Sequence, residues 1–333
     1  MAIIFSQNSA LNDDLWKVNG QIVTSFLKDT DTEKNKDDDL VKALFNVKKS
    51  KKFAEKSSGL TEFDDFEIVG EGKPGVQDDF KQGFSKMIEH KQFIKTFTCT
   101  AQMNEDGDID AMKEAAANFI RAYKRTRAQY ASDALTSEGA TFLKSGVAID
   151  KTTGDGLSLF NTAHKSAVDG NPTQCNVFTN SFGKDATMLN KLAVIGRNFR
   201  NDSGHKMGYT FDTIVIPSNC PELEETVQAI ISSQLKVGTD YNDINTQKGK
   251  WKYVVDHRWD AAPGTEPYIL ISSEGQKEMQ GGVFYDRIPL TVRNQVDLKT
   301  SNLDWAGRAR FSCGFRRWQP FILGGATTGE TLS

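Results

Sequence analysis

The feature that most constrains the fold is a long amphipathic stretch between residues 108 and 138. Asp108 and Asp110 stand at its start, where carboxylates stabilise a helix N-terminus, and Gly139 is a suitable stop. At about 1.5 Å per residue such a helix is roughly 45 Å long, which predicts the spine of a domain. Its apolar residues recur three, four and seven positions apart, as on one helix face: Ile109, Met112, Ala116, Phe119, Ile120, Tyr123, Tyr130 and Ala134.

Strand-like segments lie on both sides of this helix. Upstream, FDDFEIV leads into a Gly-Lys-Pro-Gly breaker at 72–75, and residues 78–90 fit either a short helix or a looped tip. Residues 93–103 alternate between apolar and polar side chains, which predicts a half-buried strand carrying Ala101 and Met103 at its end. We therefore expect a protruding hairpin over about 63–104. Downstream, IPLTVRNQVDLK and WAGRARFSCGFRRWQPFILGG are strand-like.

The first 60 residues carry a dense run of charge between positions 28 and 56. Asp37, Asp38 and Asp39 precede the basic cluster at 48–52, and such a run cannot form a core alone. Two interpretations remain open: an arm that becomes ordered by lying on something else, or a solvated surface helix. Leu40 and Leu44 provide a short helical stripe within the run.

The middle of the chain divides into a loop and an α/β block. Residues 145–183 are rich in loop residues, and a segment of this kind is usually functional or held by its own contacts. Residues 184–282 then alternate helical and strand-like segments, with Pro221 at the start of a helix. The segments are DATMLNKLAVIGRNFRND, TFDTIVIP, PELEETVQAIISSQLK, KWKYVVDHRWD and PYILISS.

None of the candidate catalytic or ligand-binding patterns has the spacing that its chemistry needs. GEGKPG does not match a phosphate loop, because the lysine of such a loop is followed by Ser or Thr, whereas Pro74 follows Lys73. Ser158 and His164 lie in no nucleophile elbow. We therefore predict no catalytic, cofactor-binding or metal-binding residue. The metal candidates match no ligand pattern, and they are Asp243, His257 and Asp260.

Composition and charge narrow the function further. The net charge of −3 argues against a general nucleic-acid-binding protein, and no segment has the apolar length of a membrane span. We read no signal peptide at the N-terminus. The cysteines are widely spaced and are predicted to be free thiols; they are Cys99, Cys175, Cys220 and Cys313. A group of arginines near the C-terminus suits pairing across subunits: Arg308, Arg310, Arg316 and Arg317.

Several segments, taken in order, resemble one protein family. DGLSLFNTAH at 155–164 resembles the DGxxLFxxxH segment that follows the spine helix in many phage major head proteins. IVIPSN at 214–219, KWKYVVDHRWD at 250–260 and DWAGRARFSCGFRRW at 304–318 are similar to later segments of that family. The chain therefore resembles, over about residues 60–325, the tailed-bacteriophage major capsid (major head) proteins of the Hong Kong 97 type, including the Mu-like head-subunit group.

The resemblance implies an α+β fold, the phage capsid (Hong Kong 97-type) fold. Its parts are an N-terminal arm (1–60), an extended β-hairpin loop (61–106) that overlaps a neighbouring subunit, a peripheral domain with a long spine helix (107–140 and 283–333) and an α/β axial domain (141–282). It implies a major capsid protein that self-assembles into the icosahedral head shell around the double-stranded DNA of a tailed phage. No covalent cross-link is predicted, because neither the lysine nor the asparagine that the family uses is assigned.

The implied partners are copies of the same chain in pentamers and hexamers, together with scaffold, portal and decoration proteins. Contact with packaged DNA is expected to be at most non-specific, and no membrane is involved. The expected location is the capsid of the virion, assembled in the host bacterial cytoplasm. Three alternatives remain: the shell of an encapsulin-like nanocompartment, which shares the fold; a hydrolytic or other enzyme using His164 or His257; and another particle component, such as a tail or decoration protein.

Overall fold

The computed structural model describes most of the chain, namely residues 4–8, 15–32, 35–63, 65–66, 68–75, 77, 82–136, 141–142, 146–237, 243–279 and 281–332. The helices are α1 (Asn19–Thr32), α2 (Lys36–Leu44), α3 (Ala101–Glu105), α4 (Ile109–Thr136), α5 (Thr187–Arg197), α6 (Pro221–Ser232) and α7 (Ser273–Met279). The strands are β1 (Ile4–Asn8), β2 (Asn46–Lys49), β3 (Ala54–Leu60), β4 (Gln82–Glu89), β5 (Lys91–Cys99), β6 (Thr141–Phe142), β7 (Val147–Ala148), β8 (Thr213–Pro217), β9 (Lys252–Asp256), β10 (Tyr268–Ile271), β11 (Gly282–Val296), β12 (Leu303–Phe315) and β13 (Phe321–Gly324).

The predicted spine helix is confirmed as α4, 28 residues long. Asp108 accepts a hydrogen bond from the Ala111 amide at its N-terminus, as the position of the carboxylate predicted. The apolar face of α4 packs on a five-stranded sheet, which we call the main sheet. At the closest approach, a side chain on Gly307 of β12 would collide with the ring of Phe119, so glycine is needed there.

The main sheet has the strand order β1-β11-β12-β5, and β2 also pairs with β11. β11 and β12 form a long antiparallel hairpin, whereas β1 and β2 run parallel to β11. β5 confirms the alternating strand, with Phe93 stacked on Phe311 at 4.1 Å. The strand ends at Cys99, earlier than predicted, because the Thr100 side chain accepts a hydrogen bond from the Met103 amide and begins α3.

The charged N-terminal segment packs on its own chain. Trp16, Leu27 and Leu44 are completely buried, and α1 and α2 both lie against α4. β2 then enters the main sheet beside β11. Residues 15–32 and 35–50 therefore do not extend away as an arm, because the apolar stripe inside the charged run is buried against the spine helix.

The predicted hairpin exists but has different strands. β3 pairs with β4, so the hairpin begins at Ala54, inside the predicted arm, and ends at Glu89. Residues 82–89 form a strand rather than the short helix or looped tip that we expected, because they pair with β3. The segment 91–99, which we had placed in the hairpin, belongs to the main sheet.

The α/β block contains a second sheet with the order β13-β10-β8-β9. β8 is fully buried and pairs parallel with β9, while α5 and α6 contribute their apolar faces to the core. Two details were wrong: α7 was not predicted, and β13 joins this sheet although residues 283–333 were assigned to the other domain. Within the described ranges, no helix has the length and apolar character needed to cross a bilayer.

We predict that Leu44→Ala lowers the free energy of unfolding of the unassembled subunit by about 2–5 kcal/mol, because it opens a cavity between α2 and the rest of the core. Leu298→Ala is the matched control, since Leu298 is almost fully exposed. Urea denaturation measures both. Equal stability of the two variants would show that the N-terminal helices are not part of the core.

Candidate functional site

A buried ionic cluster joins the N-terminal helices to the spine helix and the main sheet. Arg127 of α4 contacts both carboxylate oxygens of Asp286 in β11, at 2.9 and 3.1 Å, and its other terminal nitrogen lies 3.1 Å from Asp38 in α2. The guanidinium also lies over the Phe284 ring. Burial raises the pKa of Asp286, and the nearby Arg127 opposes this shift. The guanidinium is planar and can donate hydrogen bonds to two carboxylates at once, so arginine is well suited to a buried position of this kind.

A second cluster links α2 to the α/β block. Asp37 accepts two hydrogen bonds from the terminal nitrogen of Arg258, at 2.7 and 2.9 Å, and lies 2.7 Å from Nε2 of His257. Next to these residues, Ser132 of α4 donates to the buried Asp256 at the end of β9. Burial raises the pKa of Asp256. The aspartates at 37 and 38 therefore hold together three parts of the subunit, although their sequence suggested a solvated run.

The crossing loop, residues 145–183, is organised around His164. Nδ1 of this buried histidine lies 2.7 Å from Asp155, and its ring stacks on Trp318 with a centroid distance of 4.4 Å. Asn176 donates to the Leu159 carbonyl and to the carbonyl of Phe321 in β13. The DGLSLFNTAH segment thus closes the loop on itself and fixes it to the C-terminal strands.

Hydrogen bonding also sets the ionisation of Asp155. Burial alone would raise the pKa of this carboxyl, but hydrogen bonds from His164 and Thr153 outweigh it and the pKa is lowered overall. Ser158 donates its hydroxyl proton to the Phe160 carbonyl, so Ser158 and His164 make separate structural contacts. We assign the motif a packing role.

The other candidate residues from the sequence do not come together in one site. Asp260 accepts from Ser218, whereas His257 contacts Asp37, and the described residues contain no group of three side chains able to hold a metal. Lys73 stands in a turn, where its amide donates to Gly70. All four cysteines are free thiols, and burial raises the pKa of Cys99 to about 11.

The C-terminal arginines have partners within the same chain. Arg308 donates to the Gln92 side chain, Arg310 to the His90 carbonyl, and Arg317 pairs with Asp202 at 2.6 Å. Arg316 donates to the Tyr285 hydroxyl. These intrachain contacts account for the arginines in the isolated subunit, so pairing across subunits is not required to explain them there.

The hairpin is fixed at its base and along one side. Nζ of Lys86 lies 2.5 Å from both Asp150 and Thr152 of the crossing loop, and Glu62 accepts from Asn201 and Ser203. At the base, the ring of His90 bridges Ser50 and Ser312. Burial lowers the pKa of His90, with Arg310 and Arg287 adding to the effect against Glu55.

Beyond these contacts the hairpin exposes apolar side chains to solvent. Phe66 and Ile68 are fully exposed, and the described residues of FDDFEIV, which was predicted to be a strand, do not form one. Large apolar side chains that stay exposed on a protruding hairpin indicate an interaction site in a soluble protein. We call this set the hairpin surface: Leu60, Phe63, Phe66, Ile68, Val69 and Met87.

We predict that Arg127→Met lowers the free energy of unfolding by about 3–5 kcal/mol, because it leaves Asp286 buried without its partner. The double variant Arg127→Met, Asp286→Leu should lose less than the sum of its single variants. Arg308→Met, on an exposed arginine, is the control and should change stability by about 0.5 kcal/mol or less. Urea denaturation of unassembled subunits provides the values, and additive losses would contradict the coupling.

We also predict a pH-dependent effect of Asp155→Asn. Because the folded-state pKa of Asp155 is lowered, its charge stabilises the fold above the unfolded-state pKa near 4, and this contribution is lost as pH falls through the folded-state pKa. The difference in stability between wild type and variant, about 1–3 kcal/mol at pH 7, should shrink below pH about 4. Asp169→Asn, in the same loop but exposed, should show a constant difference.

Comparisons with known proteins agree with this architecture. A family model described as phage capsid protein matches residues 84–323, which include β5, the spine helix, the crossing loop and most of both sheets, but not β1 or β2. No curated protein sequence matches the chain.

Solved structures with the same fold share little sequence. A chain of the capsid of an empty GTA particle has a TM-score of 0.54 at 9% identity, covering 87% of this chain and 90% of its own. A chain of Mycobacterium phage Adephagia has 0.52 at 10%, covering 87% and 91%. A chain of the capsid of Myoviridae phage XM1 has 0.52 at 10%, covering 85% and 90%.

The family match spans more than half of the chain, and the structural likeness confirms the predicted α+β capsid fold. The narrower Mu-like grouping stays a prediction. The chain belongs to the phage capsid protein family and has the Hong Kong 97-type fold of tailed-phage major capsid proteins.

Proposed function

We propose that this chain is the major capsid protein of a tailed phage and that its copies assemble into the closed icosahedral shell of the head. The observation that carries the proposal is the family match over residues 84–323, which contain the whole spine helix and most of both sheets. The function is therefore architectural, and the buried ionic clusters serve to keep the subunit rigid.

The hairpin surface supports assembly. An isolated subunit gains nothing from fully exposed Phe66 and Ile68, whereas burial against a neighbour removes that apolar area from water at about 25 cal/mol per Å². Obligate interfaces of roughly 2,000–5,000 Å² are built from surfaces of this kind. We therefore assign the hairpin to overlap a neighbouring subunit, with the residues at its base holding its direction.

The proposal extends to the particle and its contents. The shell would consist of pentamers and hexamers enclosing double-stranded DNA, assembled in the host cytoplasm and retained in the virion. Contact with the packaged DNA would be weak and non-specific at most, because strong binding to phosphates needs an excess of basic side chains and the net charge of this chain is −3. Scaffold, portal and decoration proteins are proposed as further partners. The nanocompartment alternative shares the fold, but the family match is to phage capsid proteins.

The central test is assembly of the purified chain. Under assembly conditions, with a scaffold protein supplied where one is needed, electron microscopy should show large, closed, icosahedral particles of uniform size. Particles recovered from an infection should contain double-stranded DNA, whereas a nanocompartment would contain a protein cargo. A chain that remains a monomer at high concentration under all these conditions would rule out the shell function.

We predict that Phe66→Ser combined with Ile68→Ser reduces the yield of closed particles at least about tenfold, because the apolar contact of the hairpin is lost. The variant subunit should unfold at the same urea concentration as wild type, since both side chains are exposed. Glu71→Gln, in the same loop, is the control and should assemble normally. Normal yield of the double variant would exclude the hairpin surface as a contact.

A further inference from the structure

The main sheet has one face packed on α4 and an opposite face that is largely open. On β5 and β12, the side chains that point away from α4 are polar or charged, apart from Ile94 and Ala306, and most of them are exposed. An antiparallel sheet with one solvated face is common, so polarity alone does not indicate a partner. The difference in charge between the two ends of the sheet, however, does indicate a partner. The exposed set on this face is Gln92, Ile94, Thr96, Thr98, Asp304 and Arg308.

One end of this face is basic. The guanidinium of Arg310 lies 6.0 Å from the ring centroid of the exposed Phe53. Nε of Arg287 donates to the Lys52 carbonyl at 2.9 Å, and Arg308 donates to the Gln92 amide oxygen at 3.0 Å. These acceptors are uncharged, so they orient the guanidiniums without cancelling their charge; Glu55 pairs with Lys52 nearby. We call this surface the basic end: Lys51, Lys52, Phe53, Arg287, Arg308 and Arg310.

The opposite end is acidic. It is formed by the turn between α3 and α4 and by the β11–β12 turn, which are joined by a hydrogen bond from the Ala101 amide to Asn302. Lys113, paired with Asp110, and Lys299 lie among these residues, and the exposed Lys17 follows Trp16, whose indole donates to the Ser301 carbonyl of the β11–β12 turn. Leu298 is almost fully exposed here, as Phe53 is at the other end. We call this surface the acidic end: Glu105, Asp106, Asp108, Asp110, Asp297 and Leu298.

The two ends are too far apart to neutralise each other within one molecule. They lie at opposite ends of β5, whose nine residues span roughly 27–30 Å, whereas charges in physiological salt are screened beyond about 8 Å. Each end therefore presents its charge outward. Aromatic and arginine side chains, which make up four of the six residues of the basic end, are also enriched at protein interfaces.

We propose that the basic end of one subunit docks on the acidic end of a second copy of this chain, in a head-to-tail contact. Charge complementarity sets the pairing, and Phe53 and Leu298 supply apolar surface on the two sides. Because the two surfaces differ, the contact is heterologous, and repetition of such a contact about an axis closes a ring. This inference rests on the proposed shell function and names one of its subunit contacts.

Charge reversal provides the test. One variant reverses the basic end (Lys51→Glu, Arg308→Glu) and the other reverses the acidic end (Glu105→Lys, Asp106→Lys); all four residues are exposed. Each variant alone should associate at least about tenfold more slowly than wild type at low salt, as measured by light scattering. An equimolar mixture should recover association to within about threefold, because the carboxylates introduced at the basic end of one variant then face the lysines introduced at the acidic end of the other. The chain carrying all four substitutions should recover as well.

The mixture separates a lost contact from a damaged fold, since a misfolded subunit cannot be rescued by another variant. Recovery in the mixture and in the fourfold variant supports the head-to-tail contact. Absence of recovery in both, or normal association of the single variants, overturns it. A defect confined to the basic-end variant overturns it too and points to a polyanion such as DNA at that end. Failure of wild type to form any shell would instead reject the proposed function.

Discussion

The subunit depends on one buried arginine, Arg127. It lies in the C-terminal half of the spine helix. One terminal nitrogen of its guanidinium binds a carboxylate of the main sheet, and the other binds a carboxylate of α2. Arg127 and Asp286 are both buried, so each charge would be strongly unfavourable without the other, whereas Asp38 is partly exposed. The three elements can therefore approach only in one register, and this register places the N-terminal segment, the spine and the sheet in a single rigid unit.

The second sheet is tied to the same point through neighbouring residues. Asp37 precedes Asp38 in α2 and binds Arg258 just after β9, while Ser132 of α4 binds Asp256 at the end of that strand. The α2 carboxylates of the two ionic clusters are therefore neighbours in the sequence. Asp38 connects α2 through Arg127 to the main sheet, and Asp37 connects α2 to the second sheet. The crossing loop completes the connection from the other side, through the stacked pair of His164 and Trp318. A shell subunit needs this rigidity, because contacts with many neighbours must keep a fixed geometry.

Sequence alone predicted the elements whose signal is local. The spine helix, β5 up to Cys99, the α/β block and the strands after residue 282 follow from periodicity, and the family resemblance came from ordered motifs such as DGLSLFNTAH. The errors lie where distant residues decide. The charged run at 28–56 looked like an arm because the partners of Asp37 and Asp38, at positions 258 and 127, are not visible in a local window. Residues 82–89 became a strand because β3 pairs with them, and β13 left its predicted domain because β10 offers it an edge.

The order of the strands in the main sheet has a consequence for synthesis of the chain. β1, β2 and β5 are made early, yet their partners among the described residues are β11 and β12, which are synthesised near the end of the chain. Pairing across such sequence separation is slow and cannot begin until its partner exists. A nascent or prematurely terminated chain therefore lacks the centre of the main sheet. We expect such a chain not to enter a growing particle, so that completing translation is a condition for assembly.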